Sequence, residues 1–217
     1  MSTGSEGAAG AESASALLRS ETAEDHRRAE RSDFQQAFVS GRLPRALYVR
    51  WLEQMWWVYR ELEGRLWTAP CRKRYTGLLA DSRRRTPDLE TDLAHFDVAA
   101  PSGSATPTTS AFTRQIAAWA EQQSLALFGV LYVLEGSTNG SRFVARGVRK
   151  SYGLAGREGA TFLDPYGEDQ PAQWAAFKRH LDTSLSTADA AALVAGARAT
   201  FEALTRIGTE LLAPAEG

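Results

Sequence analysis

The first residues in this chain whose types and spacing suggest chemistry are a histidine, an arginine and a glutamate. His26 has Arg19 seven positions before it and Glu30 four positions after it. Residues four apart share a helical face, so Glu30 can fix the imidazole orientation while the other ring nitrogen binds a metal. Arg19, almost in line on the same predicted helix, would reach an anionic group of the same ligand. An ordinary surface pair of His26 and Glu30 is the alternative.

A run of small residues much further along the chain is the second such group. It reads LEGSTNGS and places Gly136 and Gly140 on one helical face, with the small polar residues Ser137, Thr138 and Asn139 between them. Glycine inside a helix costs roughly 1 kcal/mol relative to alanine, which indicates that something approaches the backbone closely. A flat ligand between this segment and an imidazole would explain both groups. Tight helix–helix packing through small residues is the alternative.

The elements that must position these groups are predicted to be helices almost throughout. Periodicity and capping signals predict long helices in seven ranges: 16–31, 44–67, 71–82, 111–122, 124–152, 172–185 and 188–212. The glycine- and proline-containing stretches 101–110 and 153–171 are predicted to be loops. There is no strand alternation and no repeat. We therefore expect an all-α, single-domain helical bundle over residues 16–213, after a disordered tail over residues 1–15.

Composition and charge exclude several classes of protein. With 217 residues, 43% of them hydrophobic, the chain can bury one core. A formal net charge of -1 gives no reason to expect nucleic acid as a partner. No apolar stretch is long enough to cross a membrane, and the single cysteine, Cys71, cannot form an internal disulfide. We expect a cytoplasmic protein, with the run of Arg83, Arg84 and Arg85 on a solvated surface.

Together the two segments resemble the heme oxygenase family, and specifically its bacterial branch that accompanies bacterial phytochromes. The proximal helix of that family has the pattern Leu-Lys/Arg-x-x-Thr-x-x-x-His-x-x-x-Glu. Five residues match it here: Leu18, Arg19, Thr22, His26 and Glu30. The bacterial distal helix typically reads Leu-Glu-Gly-Ser-Thr-Leu-Gly-Gly, from which this chain departs at Asn139 and Ser141. These two departures predict a distal pocket that is more polar or more crowded. The resemblance extends from about residue 17 to residue 185.

The resemblance implies that heme lies between the two helices as both cofactor and substrate. His26 would bind the iron, oriented by Glu30, while Arg19 and Lys178 anchor the propionates and dioxygen (O2) binds on the opposite side. The residues expected to form the distal side are Tyr59, Gly136, Ser137, Thr138, Asn139 and Gly140. The implied reaction opens the ring at one meso carbon and yields biliverdin, iron and carbon monoxide.

The electrons for this reaction must come from outside the chain. The sequence has neither the glycine fingerprint of a dinucleotide site nor the cysteines of an iron–sulfur cluster, which implies an external reductase or ferredoxin. A basic surface with Arg27, Arg28 and the arginines at 83 to 85 is a candidate docking site, and a merely solvated surface is the alternative. A bacteriophytochrome is a candidate acceptor of the biliverdin.

Two other functions stay open at this point. In the first, the chain is a non-catalytic heme carrier or sensor in which Asn139 and Ser141 have silenced turnover. In the second, it is a non-heme di-iron oxidase that uses His26, His95 and His180 together with acidic residues. The sequence lacks the paired Glu-x-x-His motifs typical of such oxidases, and His95 and His180 are expected to be surface residues.

Overall fold

In this computed structural model, which describes residues 13–98 and 103–214, the chain forms a bundle of α-helices. The α-helices are α1 (Ala14–Glu21), α2 (Ala23–Glu30), α3 (Asp33–Val39), α4 (Arg45–Leu66), α5 (Ala69–Arg74), α6 (Thr86–His95), α7 (Pro107–Glu121), α8 (Ala126–Tyr152), α9 (Gln170–Ser184) and α10 (Ala190–Leu212). No strand occurs within these two ranges, and the predicted all-α fold is confirmed. The predicted tail lies outside the described residues up to residue 12, and α1 begins at Ala14.

The helices α8 and α10 form the centre of the bundle and touch through their backbones. A Cβ atom on Gly129 would lie 1.9 Å from the carbonyl oxygen of Leu193, and one on Gly196 would lie 2.0 Å from that of Ala126. Neither position can carry a side chain at this separation. The other helices surround this pair: α2, α1 and α3 pack on α10, α9 packs on α8, and α4 packs on α6 and α7.

The predicted helix over residues 16–31 is interrupted, which corrects the sequence-based expectation. Thr22 leaves the helical conformation (φ -110°, ψ 8°), and its buried hydroxyl donates to the carbonyl oxygen of Leu18 at 2.7 Å. This local bond competes with the helical ladder and ends α1. As a result Arg19 and His26 lie on two successive helices, α1 and α2, rather than in line on one.

Two other boundaries differ from the sequence-based expectation. The predicted loop over residues 101–110 becomes helical at Pro107, because the hydroxyl of Thr106 accepts the amide of Thr109 at 3.2 Å and caps α7. The predicted helix over residues 71–82 is α-helical only to Arg74, where α5 ends. The long glycine-bearing helix ends as predicted, because Gly153 adopts a left-handed conformation (φ 68°) directly after α8.

The run of three arginines does not form a solvated face. The side chains of Arg83 and Arg85 are each only 4% exposed, whereas that of Arg84 is 45% exposed. The guanidinium of Arg83 lies 5.5 Å from the ring centre of Phe177, and that of Arg85 lies 4.9 Å from that of Tyr166. Two of these three charges are therefore buried, and the proposed docking surface cannot include them.

None of the helices in the described ranges has the length and apolar character needed to cross a membrane.

The contact between α8 and α10 generates a stability prediction. Gly129→Ala should lower the free energy of unfolding by about 2 to 3 kcal/mol, because the new methyl group collides with the α10 backbone. Gly64→Ala is the matched control: its Cβ meets no atom within 4 Å, and it should raise that free energy by about 0.5 to 1 kcal/mol. Urea unfolding followed by circular dichroism measures both, and equal effects would contradict the backbone contact.

Candidate functional site

The region between α2 and α8 is the candidate ligand site, because these helices carry the two residue groups that the sequence singled out. Both helices pack on α10, but neither packs extensively on the other in the part of the chain that the structure describes. The helix α2 buries none of its own residues. On the other wall, a Cβ atom on Gly140 would meet no atom within 4 Å. We call this space, with α2 and α8 as its walls and α10 at its base, the α2/α8 slot.

His26 stands on α2 in the arrangement that its spacing from Glu30 predicts. Its side chain is 59% exposed, and its Nδ1 lies 3.5 Å from Oε2 of Glu30. The edge of the imidazole packs against Phe201 of α10, with ring centres 5.7 Å apart at an angle of 80°. The contact with Glu30 engages Nδ1, so Nε2 is the nitrogen available to a metal. Phe201 carries no sequence signal that could have identified it.

The two glycines of the LEGSTNGS run on α8 have different surroundings. Gly140 faces open space, whereas a Cβ on Gly136 would lie 3.3 Å from the indole of Trp174 on α9. Ser137 and Asn139 bond to their own helix: the Ser137 hydroxyl donates to the carbonyl of Leu134 at 2.7 Å, and the Asn139 amide donates to that of Gly136 at 2.9 Å. Of these two positions, Gly140 is the one whose backbone is open to close approach by a flat ligand.

Tyr59 and Thr138 lie behind α8 rather than in the slot, which corrects their expected place in the distal pocket. The Tyr59 hydroxyl donates to the carbonyl of Leu134 at 3.4 Å, and burial raises its pKa, so it remains protonated. Thr138 is buried, and its hydroxyl accepts the side-chain amide of Gln170 at 2.7 Å. Leu134 and Thr138 stand two positions from a glycine, which places them on the opposite face of the helix.

The sequence predicted that Ser141 makes the distal pocket more polar or more crowded, but its side chain bonds away from Gly140. Its hydroxyl donates at 2.7 Å to the carbonyl oxygen of Leu163, in the connection between α8 and α9. The serine side chain, larger than the glycine of the family pattern, thus attaches α8 to the connection that follows it. This bond and that of Asn139 to the Gly136 carbonyl account for both departures from the family pattern without placing either side chain over Gly140.

Arg19 and Lys178 are each associated with one ring of an aromatic pair, Tyr132 of α8 and Trp174 of α9. Arg19 is on the Tyr132 side: burial raises the pKa of Tyr132, and the positive charge of Arg19 acts in the opposite direction. Trp174 contacts Tyr132 at 5.4 Å between ring centres, and Nζ of Lys178 lies 5.5 Å from the Trp174 ring. Sequence reasoning missed both aromatic residues. The signal for Tyr132 was its spacing, since it stands four positions before Gly136 and so shares a helical face with it. Trp174 had no such signal.

The three histidines are not assembled into a metal site. His95 lies on α6 with its ring against Phe96 (5.1 Å between centres), and His180 lies on α9 against Gly77. Within the described ranges, no three His, Cys, Asp or Glu side chains converge as metal ligands. The residues proposed for a di-iron centre therefore do not meet.

Solved structures of heme oxygenases have the same fold as this chain. The enzyme from Leptospira interrogans superimposes with a TM-score of 0.80 at 21% identity, covering 91% of this chain and 99% of the other. Heme oxygenase-1 from the cyanobacterium Synechocystis sp. PCC6803, in complex with heme, superimposes with a TM-score of 0.83 at 18% identity, covering 92% of each chain. Heme oxygenase 2 from Chlamydomonas reinhardtii, without heme, superimposes with a TM-score of 0.81 at 19% identity, covering 94% of this chain and 100% of the other. At these identities the likeness establishes the fold.

The amino-acid sequence gives an independent assignment. The profile of the heme oxygenase family matches residues 12–210, which is most of the chain and includes both walls of the α2/α8 slot. No curated protein sequence matches the chain. Family profile, fold and slot agree, and the chain therefore belongs to the heme oxygenase family of enzymes.

Proposed function

We propose that this protein opens heme at one meso carbon, yielding biliverdin, iron and carbon monoxide, with O2 and an external electron donor as co-substrates. The observation that carries this proposal is the exposed His26 imidazole, with Glu30 at its Nδ1, on the wall of a slot whose other wall has open backbone at Gly140. Membership of the heme oxygenase family supports the same reaction.

The residues that line the slot fit a heme. Bound there, heme would supply an iron atom for O2 and the ring that is oxidised. His26 would hold it through Nε2, and Glu30 would accept the proton of Nδ1, which fixes the tautomer and orientation of the imidazole. Arg19 and Lys178 would pair with the propionates and set the rotation of the ring.

The α8 side of the slot would act by shape and by hydrogen bonding. Bare backbone at Gly140 lets the helix approach the ring closely, which restricts the direction in which a small bound ligand can bend. The exposed Ser137 hydroxyl uses its proton on Leu134, so its oxygen can still accept a hydrogen bond from an ordered water. Tyr59 and Thr138 contribute from behind, by holding the helix that carries these groups.

The finer features of the hypothesis rest on the family resemblance. We propose that a separate reductase or ferredoxin supplies the electrons, and that a bacteriophytochrome is the acceptor of biliverdin. The proposed location is the cytoplasm, and the proposed catalytic domain spans residues 16–213. A docking surface for the donor would use exposed arginines such as Arg27 and Arg28 on α2, next to the slot.

The first test of this function uses the histidine. Heme-loaded wild-type protein given ascorbate or a ferredoxin system should lose its Soret band and gain the broad red band of biliverdin. His26→Ala should slow this conversion more than about tenfold, because losing only a residue that hydrogen-bonds to a metal ligand already lowers activity about tenfold. Added imidazole should restore part of the rate. His95→Ala, on α6, is the control and should behave as wild type. An unchanged wild-type Soret band would favour a carrier or sensor instead.

The second test fills the slot from the α8 side. Gly140→Leu should leave the free protein as stable as wild type or more stable, because the side chain enters open space and leucine favours a helix. The same side chain should weaken heme binding by at least about tenfold, since it occupies volume that the ring needs. Heme titration followed at the Soret band measures this. Gly64→Leu on α4, also facing open space, is the control, and equal affinities would show that Gly140 does not face the heme.

A further inference from the structure

The turn of α8 that borders the slot has few contacts on its glycine face. On the slot side, Gly140 meets no atom within 4 Å of its Cβ position, and Ser137 is exposed. The Trp174 indole beside Gly136 is the one close neighbour among the glycine contacts on this turn. Glycines also make the helix easy to bend. The position of this turn therefore depends on the contacts of its opposite face.

Three side chains on that opposite face bond to a single stretch of chain, residues 163–170, which we call the brace. The Tyr166 hydroxyl donates to Oε1 of Glu135 at 2.8 Å. The amide of Gln170 donates to the Thr138 hydroxyl at 2.7 Å, and the Ser141 hydroxyl donates to the Leu163 carbonyl at 2.7 Å. The brace thus follows α8 across the whole length of its glycine-bearing turn.

Glu135 is the only charged member of this set, and just 2% of its side chain is exposed. The Nε atom of Arg83 lies 3.6 Å from its Oε1, and a guanidinium nitrogen of Arg85 lies 3.2 Å from the Tyr166 hydroxyl. A buried carboxylate is tolerated only when it is paired and hydrogen-bonded, and here Arg83 supplies the opposite charge and Tyr166 the hydrogen bond. Burial raises the pKa of Tyr166, which keeps its hydroxyl a donor to Glu135.

The stretch of chain leading into the brace is fixed to the rest of the bundle. The buried carboxylate of Asp92 on α6 accepts the amides of Thr161 and Phe162, each at 2.8 Å. The Phe162 ring packs edge-on against Tyr59 of α4, with centres 5.3 Å apart. The brace can therefore transmit the position of α4 and α6 to α8.

We propose that Glu135 is a positioning residue: through Tyr166 and Arg83 it fixes the height of the Gly136–Gly140 turn above the α2/α8 slot. With heme bound in the slot, the height of this turn would decide which meso carbon is open to oxidation. This inference rests on the proposed function, because a choice between meso carbons arises only if the protein opens heme. A turn held at one height restricts a bound ligand to one direction. Glu135 does not touch heme in this arrangement, and its effect passes through the backbone of its own helix.

The first experiment measures the turn directly and needs no heme. Amide hydrogen exchange in the free protein should become about tenfold faster over residues 136–141 in Tyr166→Phe, because the variant removes one buried hydrogen bond to Glu135. Tyr152→Phe is the matched control. It removes a tyrosine hydroxyl that donates to the Leu43 carbonyl at 2.7 Å, near the far end of the same helix. The control should leave exchange over 136–141 unchanged, and equal exchange in both variants would overturn the proposal.

The second experiment reads the consequence in the product. Tyr166→Phe and the more severe Glu135→Gln should both bind heme with the wild-type Soret spectrum, since His26 is untouched. The wild type should yield one predominant biliverdin isomer. In both variants the ratio of the minor to the major isomer should rise at least about threefold, a change worth roughly 0.7 kcal/mol. Chromatography of the bilin products separates the isomers. An unchanged isomer ratio in Tyr166→Phe, together with faster exchange, would overturn the link between the brace and specificity.

The two experiments separate failure of this inference from failure of the proposed function. If the wild-type protein binds heme but does not convert it, the proposed function fails, whereas the exchange measurement still tests the brace. If the wild type yields biliverdin and Tyr166→Phe matches it in both exchange and isomer ratio, the inference about Glu135 fails and the function stands.

Discussion

The helices α8 and α10 approach so closely at Gly129 and Gly196 that any side chain at either position would meet the opposite backbone. This contact fixes the separation of the two helices, because backbone atoms cannot change rotamer to relieve a collision. Since α2 also packs on α10, the same contact sets how far the His26 imidazole stands from α8. The width of the α2/α8 slot is thus decided by glycines that lie outside it.

The two faces of α8 have different roles: one borders the slot, and the other is hydrogen-bonded to the rest of the bundle. The face toward the slot has little more than backbone, which suits a large flat ligand but leaves the helix without support. On the opposite face, Thr138 and the buried Glu135 bond to Gln170 and Tyr166, and the Leu134 carbonyl accepts the Tyr59 hydroxyl of α4. A helix weakened by glycine for the sake of its ligand is therefore stabilised through polar bonds in a dry environment, where hydrogen bonds are strong.

The buried arginines show why part of this arrangement could not be read from the sequence. Three consecutive arginines usually indicate a solvated surface, and Arg84 follows that rule. Arg83 does not, because Glu135, more than fifty positions away, supplies a negative charge. Arg85 pairs with the nearby Asp88, but its hydroxyl partner and its aromatic face come from Tyr166, more than eighty positions away. Burial of these two charges thus depends on distant partners that no local pattern contains.

The sequence by itself determined the features that depend on neighbours within a few turns. These are the helical fold, the pairing of His26 with Glu30, the extent of α8 up to Gly153, and the paired glycines that indicated close approach to its backbone. Tertiary structure decided which glycine stays open, since Trp174 of α9 covers Gly136 and leaves Gly140 bare. It also decided that Tyr59 supports the distal helix instead of lining the slot. The physical reason is range: helix periodicity and capping arise from local bonds, whereas the facing of each side chain is set by contacts between helices far apart in sequence.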